Sequence, residues 1–554
     1  MRYQIFSLWV ILCFASGLMS VLIYYHATKL EPLFQTRGPK NVIFIIFDDL
    51  RPALGVYGDS QALTPNIDQL GAKSVVFSSA YTQQAICGPS RTSLLTSRRP
   101  DRTKTYANNF NWRSVRDFVT LPQYFKQNGY HAQAFGKIFH NQVNASFNDM
   151  PFSWSAEPYR PITGLLLKKF KTAPVCEGTE ESGFNIICPL DREVNAIPLP
   201  DTQVRRRASE FLTAWTKLGS PKPLFLGVGF TLPHIPFKIP NWVTNFHPIE
   251  NIALANNSFP GENAPTLARN GWKALFTGAG DWPTPDKVSH YLKQLKQFYY
   301  SSITFVDQKV GKFLETVVEL GLADNTIICL VADHGWHLGE HGLFAKNTNY
   351  EEATRVPWMV YDPRLQSLNG FSLIDIVNYK NLPHNLLKRR KLQPGRFVNG
   401  PVELLDVYPT LVDLARLPRV PKCPTTLQHA NRFCLEGVSR AASILQNQPI
   451  PSEAVAISQY PRPGNETDGH LVRAPSHMDI RVMGYALRSR THRFVAWFEF
   501  DPNSLKTNFN RVIAQELYDE MVDPQENINI AYGPESCGIA KDYLRLLREK
   551  LEPA

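Results

Sequence analysis

The stretch Asn-Val-Ile-Phe-Ile-Ile-Phe-Asp-Asp, residues 41–49, is an unbroken apolar run rich in β-branched side chains that ends abruptly in two carboxylates. A run without polar alternation predicts a strand buried on both faces, as in the parallel sheets of α/β proteins. Two similar runs, residues 224–230 and 326–331, are followed within a few residues by His234 and by Asp333-His334. The chain is therefore predicted to form an α/β sheet with ionisable side chains at its strand ends.

The segments between these runs predict helices. Residues 288–320 carry apolar side chains at helical spacing. A shorter unit combines a helix at 121–127 with a strand at 130–135, and Lys137 and His140 follow that strand. Because ligands of open α/β sheets bind beyond the carboxyl ends of the strands, we expect these strand ends to form one site.

The C-terminal part has a different pattern. Residues 480–488 and 493–500 flank a short polar turn, which predicts an antiparallel hairpin instead of another crossover unit. Residues 446–453 include Asn, Pro and Ser side chains typical of a linker. We therefore expect three parts: a leader over 1–33, a large catalytic domain over 34–446 and a smaller α+β subdomain over 447–554.

The composition excludes global disorder and fibrous repeats, because 43% of the 554 residues are hydrophobic and only 19% are charged. The formal net charge of +10 favours polyanionic partners: nucleic acid, anionic lipid or sulfated polysaccharide. Basic runs at 205–207 and 388–391 are consistent with a polyanion-guiding surface, although such runs are more often simply solvated.

The N-terminus predicts passage through the secretory pathway. Residues 5–25 contain no charged side chain and are long enough to span roughly 30 Å of hydrocarbon. Both a cleaved signal peptide and a retained membrane anchor fit this stretch. Sequons at Asn144, Asn256 and Asn465 fit glycosylation in the same pathway.

The cysteines support an oxidising compartment. Two pairs enclose short loops, Cys176 with Cys188 and Cys423 with Cys434, as local disulfides do. Cys329 lies within an apolar run and is predicted to be a buried thiol.

Cys87 opens the segment Cys-Gly-Pro-Ser-Arg-Thr-Ser-Leu-Leu-Thr-Ser-Arg at residues 87–98. Pro89 suits the first turn of a helix, so Cys87 is expected at a helix N-terminus, where free N–H groups and the helix dipole stabilise an anion. From the residues alone, a small apolar side chain at a helix cap is the alternative interpretation.

This Cys-x-Pro-Ser-Arg segment resembles the signature of the type I sulfatases, whose cysteine is oxidised to formylglycine in the endoplasmic reticulum. Ser97 stands where that family usually has glycine, and we expect it to alter the start of the helix slightly. The resemblance covers nearly the whole chain beyond the leader and implies an alkaline-phosphatase-like fold: a large, mixed, mostly parallel sheet flanked by helices, with a smaller C-terminal domain built on an antiparallel sheet. The supporting stretches are residues 47–52, 121–125, 136–140, 233–237, 333–342 and 482–485.

The same resemblance implies the catalytic set. Asp48, Asp49 and Asp333 offer the hard oxygen ligands that Ca²⁺ prefers, and the resemblance adds His334 and position 87 as further ligands. The formylglycine hydrate would attack sulfur, and a second hydroxyl would later expel sulfate. The remaining roles implied are orientation of the hydrate by Arg91, sulfate binding by Lys137 and Lys346, proton transfer by His140 and His234, and sugar binding by His234, Trp336 and Arg481.

The implied substrate is the 2-O-sulfate ester of iduronate in heparan sulfate and dermatan sulfate, degraded in the lysosome. The resemblance places disulfides at both cysteine loops and makes the formylglycine-generating enzyme a maturation partner. No nucleic-acid partner is expected, and membrane contact is expected only through the possible anchor. Alternatives are a sulfatase for another sugar, a phosphodiester or phosphonate hydrolase of the same superfamily, and a catalytically silent glycan-binding protein.

Residues 337–341, His-Leu-Gly-Glu-His, match the H-x-x-E-H pattern of some zinc peptidases, which requires both histidines on one helical face. Gly335, Gly339 and Gly342 disfavour that helix, at about 1 kcal/mol each relative to alanine. A peptidase is therefore not expected.

Overall fold

The structure is a computed structural model that describes residues 40–140, 146–162, 186–190, 198–271, 285–368, 395–424, 433–464 and 475–552. The predicted leader, Cys176, the basic run at 388–391 and the sequons at Asn144 and Asn465 lie outside these residues. Within the described ranges, no helix combines the length and the apolarity needed to cross a membrane.

A mixed, mostly parallel sheet forms the larger part of the fold. Seven strands of the described residues pair in the order β11-β2-β10-β7-β1-β5-β3, and β10 alone among them runs antiparallel to its neighbours. The described strands are β1 Asn41–Phe47, β2 Val75–Tyr81, β3 His131–Gly136, β4 Ile187–Leu190, β5 Leu224–Gly229, β6 Phe237–Pro240, β7 Thr326–Ala332, β8 His337–Leu338, β9 Phe344–Ala345, β10 Arg355–Tyr361, β11 Arg396–Glu403, β12 Ala456–Arg462, β13 Val482–Arg488, β14 His492–Asp501 and β15 Lys506–Asp519.

Strand β1 lies inside this sheet, between β5 and β7. Its side chains from Val42 to Phe47 are buried, as the unbroken apolar run predicts, because layers cover both faces of the strand. Phe44 stacks on Phe225 of β5, with ring centroids 6.4 Å apart. The three runs found in the sequence are thus neighbouring parallel strands, and the predicted α/β fold is confirmed.

Helices pack on this sheet. Helix α5, Pro200–Lys217, contacts β3 and β5 and packs along α6, Pro285–Glu319, the long helix predicted at 288–320. Helix α1, Pro65–Ala72, contacts β10. The described α-helices are α1 Pro65–Ala72, α2 Cys87–Thr96, α3 Pro100–Thr103, α4 Leu121–Gln127, α5 Pro200–Lys217, α6 Pro285–Glu319, α7 Glu351–Thr354, α8 Val407–Leu414, α9 Ala441–Leu445 and α10 Cys537–Leu551.

Helix α2 begins at Cys87, as Pro89 predicts, but the expectation for Ser97 was wrong. Ser97 lies at the end of the helix instead of its start, in a left-handed conformation with φ of 50°. Glycine reaches this conformation without steric cost, so its usual presence here has a backbone reason. The Ser97 hydroxyl donates to the Leu405 carbonyl oxygen at 2.8 Å and accepts the Gly437 N–H at 3.0 Å.

The C-terminal part contains the predicted hairpin within a larger antiparallel sheet. Strands β13 and β14 pair antiparallel, and β12 and β15 extend the sheet on either side. Buried side chains of this sheet, including Tyr485, Phe494 and Phe498, form a core with Ala540 and Leu547 of α10. A smaller domain built on an antiparallel sheet therefore follows the large sheet, while its start near residues 446–453 stays a prediction.

The cysteines of the described chain fall into two groups. Cys423 and Cys434 form a disulfide with Cα atoms 4.7 Å apart, and Cys188 is also disulfide-bonded. Cys329 is a buried free thiol in β7. Asn256 of the second sequon is exposed on the surface.

Gly136, the last residue of β3, sets the position of Lys137. It has φ of 81°, and a Cβ atom at this residue would lie 2.0 Å from the carbonyl oxygen of Gly229 in β5. The Lys137 N–H donates to that same oxygen at 3.1 Å. A side chain at residue 136 would therefore force apart the strand ends that carry the predicted site.

The variant Gly136→Ala is expected to lower the free energy of unfolding by about 3 kcal/mol, through left-handed strain and overpacking together. Gly129→Ala is the matched control, since Gly129 has φ of 88° with nothing within 4 Å of an added Cβ. Its cost is expected to stay at about 1 kcal/mol. Urea unfolding of both variants tests this, and equal losses would contradict the packing argument.

Asp201, in the first turn of α5, holds the loop that leads to His234. Its carboxylate accepts the N–H groups of Thr231 at 2.8 Å and Leu232 at 2.9 Å. Burial raises the pKa of Asp201 to about 6. The folded chain thus retains a proton that the unfolded chain releases near its ordinary pKa of about 4.

Because only the unfolded chain ionises Asp201 between about pH 4 and pH 6, this group lowers the free energy of unfolding across that interval. The expected loss reaches about 3 kcal/mol and is complete above pH 6. In Asp201→Asn the loss should disappear, whereas the exposed Asp542→Asn should keep it. Urea unfolding at pH 4, 5, 6 and 7 measures the slopes, and an unchanged slope in Asp201→Asn would refute the assignment.

Candidate active site

Ionisable side chains from separate strand ends meet in one buried place. Asp48 and Asp49 follow β1, and Asp333 and His334 follow β7, its parallel neighbour. Cys87, at the start of α2, faces these groups, and all five side chains are at most 1% exposed. The fold therefore brings together residues that lie as far as 286 positions apart in the chain, between Asp48 and His334.

The distances at the centre are short. The thiol of Cys87 donates to Oδ1 of Asp48 at 3.2 Å. Ligand atoms of Asp48, Asp49, Cys87 and His334 all lie within 4.8 Å of one another. Asp333 adjoins this group, since its Oδ1 accepts the Asp49 N–H at 3.1 Å and the His334 N–H at 2.9 Å.

Arg91 contacts residues that follow three different strands. Its Nε donates to Oδ2 of Asp333 at 2.8 Å, and its Nη2 lies 3.6 Å from Oδ1 of Asp48. Its Nη1 donates to the carbonyl oxygens of Lys137 and Ile138. One buried guanidinium of α2, the helix that begins at Cys87, thus connects the end of β1, the chain beyond β3 and the chain beyond β7.

Burial opposes the negative charges of the cluster, and the cationic side chains beside it favour them. Burial raises the pKa of Asp333 to about 7, assisted by the Asp48 carboxylate and opposed by Arg91. Burial also opposes ionisation of Asp48, yet Lys137, His234 and Arg91 together lower the pKa of Asp48. Burial likewise disfavours the Cys87 thiolate, but Lys137 and Lys346 bring the pKa of Cys87 well below its usual value.

The residues present fit a divalent cation. Oδ2 of Asp49 and Nε2 of His334 are buried and have no hydrogen-bond partner among the described residues. Such atoms cost free energy unless a ligand meets them. Carboxylate oxygens are the ligands that Ca²⁺ and Mg²⁺ prefer, and a cation would also relieve the repulsion between the aspartates.

Two lysines reach the cluster from further strand ends. Lys137 pairs with Asp48, and Nζ of Lys346 lies 2.5 Å from Oδ1 of Asp49 and 3.3 Å from Sγ of Cys87. These contacts raise the pKa of both lysines despite burial, which opposes their charged form. Two fixed ammonium groups beside the thiol can therefore bind an anion there.

The two predicted proton-transfer histidines have opposite environments. Burial lowers the pKa of His140, and neither of its ring nitrogens has a hydrogen-bond partner within the described chain. Nε2 of His234 lies 3.9 Å from Oδ2 of Asp49. Burial opposes the charge on His234, but Asp49 and Asp48 raise its pKa. His140 is thus biased toward the neutral form and His234 toward the protonated form.

Trp336 and Arg481, two of the three candidates for sugar binding, have different environments. Trp336 is buried, with its ring centroid 5.7 Å from Nζ of Lys346. Arg481 is exposed, and its guanidinium donates to the carbonyl oxygens of Met478 at 2.6 Å and Ile480 at 3.0 Å. The side-chain hydrogen bonds of Arg481 within the described residues are thus with its own loop.

Two residues that support the site were not found from the sequence. The Tyr299 hydroxyl of α6 donates to the Asp49 carbonyl oxygen at 2.8 Å and accepts the Arg51 N–H at 3.1 Å, which holds Asp49 at φ of 64°. The side-chain oxygen of Asn108 accepts one of the free N–H groups in the first turn of α2, that of Gly88, at 2.7 Å. Tyr299 occupies an ordinary apolar helical position in the sequence, so only the fold reveals its second role.

Comparisons with known proteins agree with this geometry. A family model described as Sulfatase matches residues 40–417. Iduronate 2-sulfatase of Mus musculus is 38% identical over 518 residues, which covers 88% of this chain and 90% of that protein.

Solved structures show the same fold at low identity. One, solved in complex with its substrate D-glucosamine-2-N,6-O-disulfate, matches with a TM-score of 0.64 and 19% identity, covering 93% of this chain and 99% of its own. The phosphonate monoester hydrolase of Agrobacterium radiobacter matches with a TM-score of 0.66 and 18% identity, covering 92% and 95%. The alkaline-phosphatase-like architecture expected from the sequence is therefore confirmed.

The family model spans more than half of the chain, and the identity to a named sulfatase extends over most of it. The chain belongs to the sulfatase family of sulfuric ester hydrolases.

Proposed function

We propose that this sulfatase removes the 2-O-sulfate of iduronate residues in heparan sulfate and dermatan sulfate. The observation that carries the proposal is the 38% identity to mouse iduronate 2-sulfatase over 88% of the chain. Sequence identity at this level over most of the chain is higher than a shared fold alone requires. The net charge of +10 also suits a polyanionic glycan.

Membership of the sulfatase family implies a formylglycine residue and a divalent metal ion. We assign the formylglycine to Cys87, oxidised by the formylglycine-generating enzyme, and the metal to Ca²⁺. When formed, the hydrated aldehyde supplies one hydroxyl to attack sulfur and a second whose deprotonation expels sulfate. The metal ligands proposed are Asp48, Asp49, Asp333, His334 and residue 87, and the cation would supply charge neutralisation for sulfate and nucleophile.

The chain's own residues provide the other requirements of ester hydrolysis. Lys137 and Lys346, fixed beside Cys87, bind sulfate oxygens and neutralise the charge that repels a nucleophile. Neutral His140 is suited to accept a proton at residue 87, and protonated His234 is suited to donate one to the departing sugar oxygen. Arg91 is proposed to orient residue 87 by fixing the carboxylates around it.

The sugar is proposed to lie over Trp336, and Arg481 is proposed to bind the uronate carboxylate. The guanidinium of Arg481 is exposed, so it can exchange its carbonyl contacts for a substrate anion at low cost. We place the protein in the secretory pathway and, within it, in the lysosome. Its disulfides and the exposed sequon at Asn256 support that compartment.

Purified protein is expected to release sulfate from a 2-O-sulfated iduronate disaccharide. Turnover of 6-O-sulfated glucosamine, a phosphodiester and a phosphonate monoester should be lower by at least about a hundredfold, because discrimination of this size requires only about 3 kcal/mol of differential transition-state binding. Preferred turnover of a phosphorus ester would establish the phosphonate hydrolase alternative. Heparan binding without any ester hydrolysis would establish a silent glycan-binding protein.

The control for that assay is Cys87→Ser, which cannot form the aldehyde by the same oxidation and lacks its second hydroxyl. Its turnover is expected to fall by about a thousandfold or more with the fold preserved, since the nucleophilic step has no substitute in the site. Mass spectrometry of the Cys87 peptide should show the aldehyde in active protein. Active protein whose residue 87 remains entirely an alkylatable thiol would refute the mechanism.

Removal of divalent ions with EDTA is expected to abolish turnover and to lower Tm by several degrees, because a cation bound only by the folded chain stabilises it. Addition of Ca²⁺ should restore both. The variant Asp49→Asn should lose most of the Ca²⁺-dependent rise in Tm, whereas Asp542→Asn on the surface should retain it. A Tm that does not respond to EDTA and Ca²⁺ would contradict a metal held by the three aspartates.

A further inference from the structure

A second cluster of metal-binding side chains, buried except for the half-buried Glu352, lies outside the site described above. His341, Glu352 and Glu526 each offer one ligand atom, and these atoms lie within 4.8 Å of one another. We call this set the His341 cluster. His341 is the last residue of the H-x-x-E-H segment, which is not a helix: His337 and Leu338 form β8, and a 3₁₀ turn carries His341.

The His341 ring is buried and unsatisfied. Its residue is only 2% exposed, and neither ring nitrogen has a hydrogen-bond partner among the described residues. Oε2 of Glu352 is also without a partner there, as is Nδ1 of His337, which lies 4.0 Å from it. Leaving a single buried polar atom unpaired typically costs about 1–3 kcal/mol, so several together point to a ligand that they share.

The charges around the cluster leave one carboxylate uncompensated. Glu526 pairs with Arg493 and also accepts the Glu351 N–H at 3.0 Å. Glu340, next to His341 in the chain, pairs with Arg51 at 2.8 Å. Glu352 makes no ion pair with a lysine or arginine in the described part of the chain, so a cation at the cluster would supply its missing partner.

We propose that the His341 cluster binds one Zn²⁺ ion. One imidazole with two carboxylates, and a second imidazole from His337 nearby, is a nitrogen and oxygen donor set that suits zinc, whereas Ca²⁺ takes oxygen ligands. Bonds of about 2.1 Å in a tetrahedral site place zinc ligands about 3.4 Å apart, so ligand atoms that now lie within 4.8 Å of one another need to close by at most about 1.4 Å.

The ion would join two parts of the fold. His341 belongs to the loop between β8 and β9, which leads directly to Lys346, and Glu352 lies in α7. Glu526 follows β15 of the C-terminal sheet. A zinc ion here would therefore anchor the segment that carries Lys346 to the C-terminal sheet, and its role would be structural.

The test uses the full-length protein with Cys87→Ala, which removes the thiol or aldehyde from the catalytic cluster. The protein is stripped with EDTA, saturated with Ca²⁺, incubated with two equivalents of Zn²⁺ and desalted, and bound zinc is measured by mass spectrometry. We expect about one zinc per chain and a rise in Tm. Retention of less than a tenth of an equivalent would overturn the proposal.

Ligand variants in the same background locate the ion. His341→Gln and Glu352→Gln are expected to lose at least about nine-tenths of the bound zinc, while the matched surface variants His290→Gln and Glu250→Gln keep it. Equal zinc content in His341→Gln and the parent would overturn the assignment, and circular dichroism confirms that each variant is folded.

X-ray absorption of the zinc-loaded parent requires no ligand variant. It should show only nitrogen and oxygen neighbours near about 2.0–2.1 Å with imidazole scattering, and a sulfur shell at about 2.3 Å would overturn the proposal.

Discussion

The burial of three carboxylates at the ends of two adjacent parallel strands is the constraint on which the rest of the structure depends. Asp48, Asp49 and Asp333 are all fully buried, and an ionised carboxylate in the interior costs several kcal/mol unless it is paired and hydrogen-bonded. Cationic side chains from four other chain segments converge on this point. The sheet therefore sets the positions of the three carboxylates, and the opposite charges of the converging side chains stabilise them.

The cations that match this charge fall into two kinds with different consequences. Arg91 is fully buried, and its donors go to Asp333 and to main-chain oxygens, so it fixes geometry and cannot move toward a ligand. Lys137 and Lys346 each pair with one aspartate through a single ammonium on a flexible stem. In the proposed reaction a sulfate group would share those ammonium groups, so the charges that stabilise the cluster would also recognise the substrate.

The sequence is sufficient to predict the strand ends, because β1, β5 and β7 are buried on both faces and thus lack polar interruptions. It is insufficient for β12 and β15. Strand β12 carries Pro461 at the edge of its sheet, and β15 is mostly polar and only partly buried, so neither shows a clean strand period.

Contacts between distant segments explain the remaining gaps in the predicted site. Tyr299 and Asn108 act through hydrogen bonds between their side chains and main-chain atoms of the site, and such bonds have no sequence signal. The left-handed Ser97 shows the converse case. The sequence resemblance shows only that this chain has serine where the family usually has glycine. The φ of 50° at Ser97 gives the physical reason for that glycine, which adopts this conformation without steric cost.

The segment around Lys346 shows how the C-terminal sheet supports the candidate site. His341, Ala345 and Asn347 all have positive φ values, at 57°, 65° and 74°, and each such residue costs about 1 kcal/mol or more. Contacts from elsewhere must therefore maintain this backbone. Arg462 of β12 donates to the Asn347 carbonyl at 2.9 Å, and Arg493 of β14 donates to the Asn349 carbonyl at 2.9 Å. Since Lys346 lies between the strained residues, the position of its ammonium depends on the antiparallel sheet as much as on the parallel one.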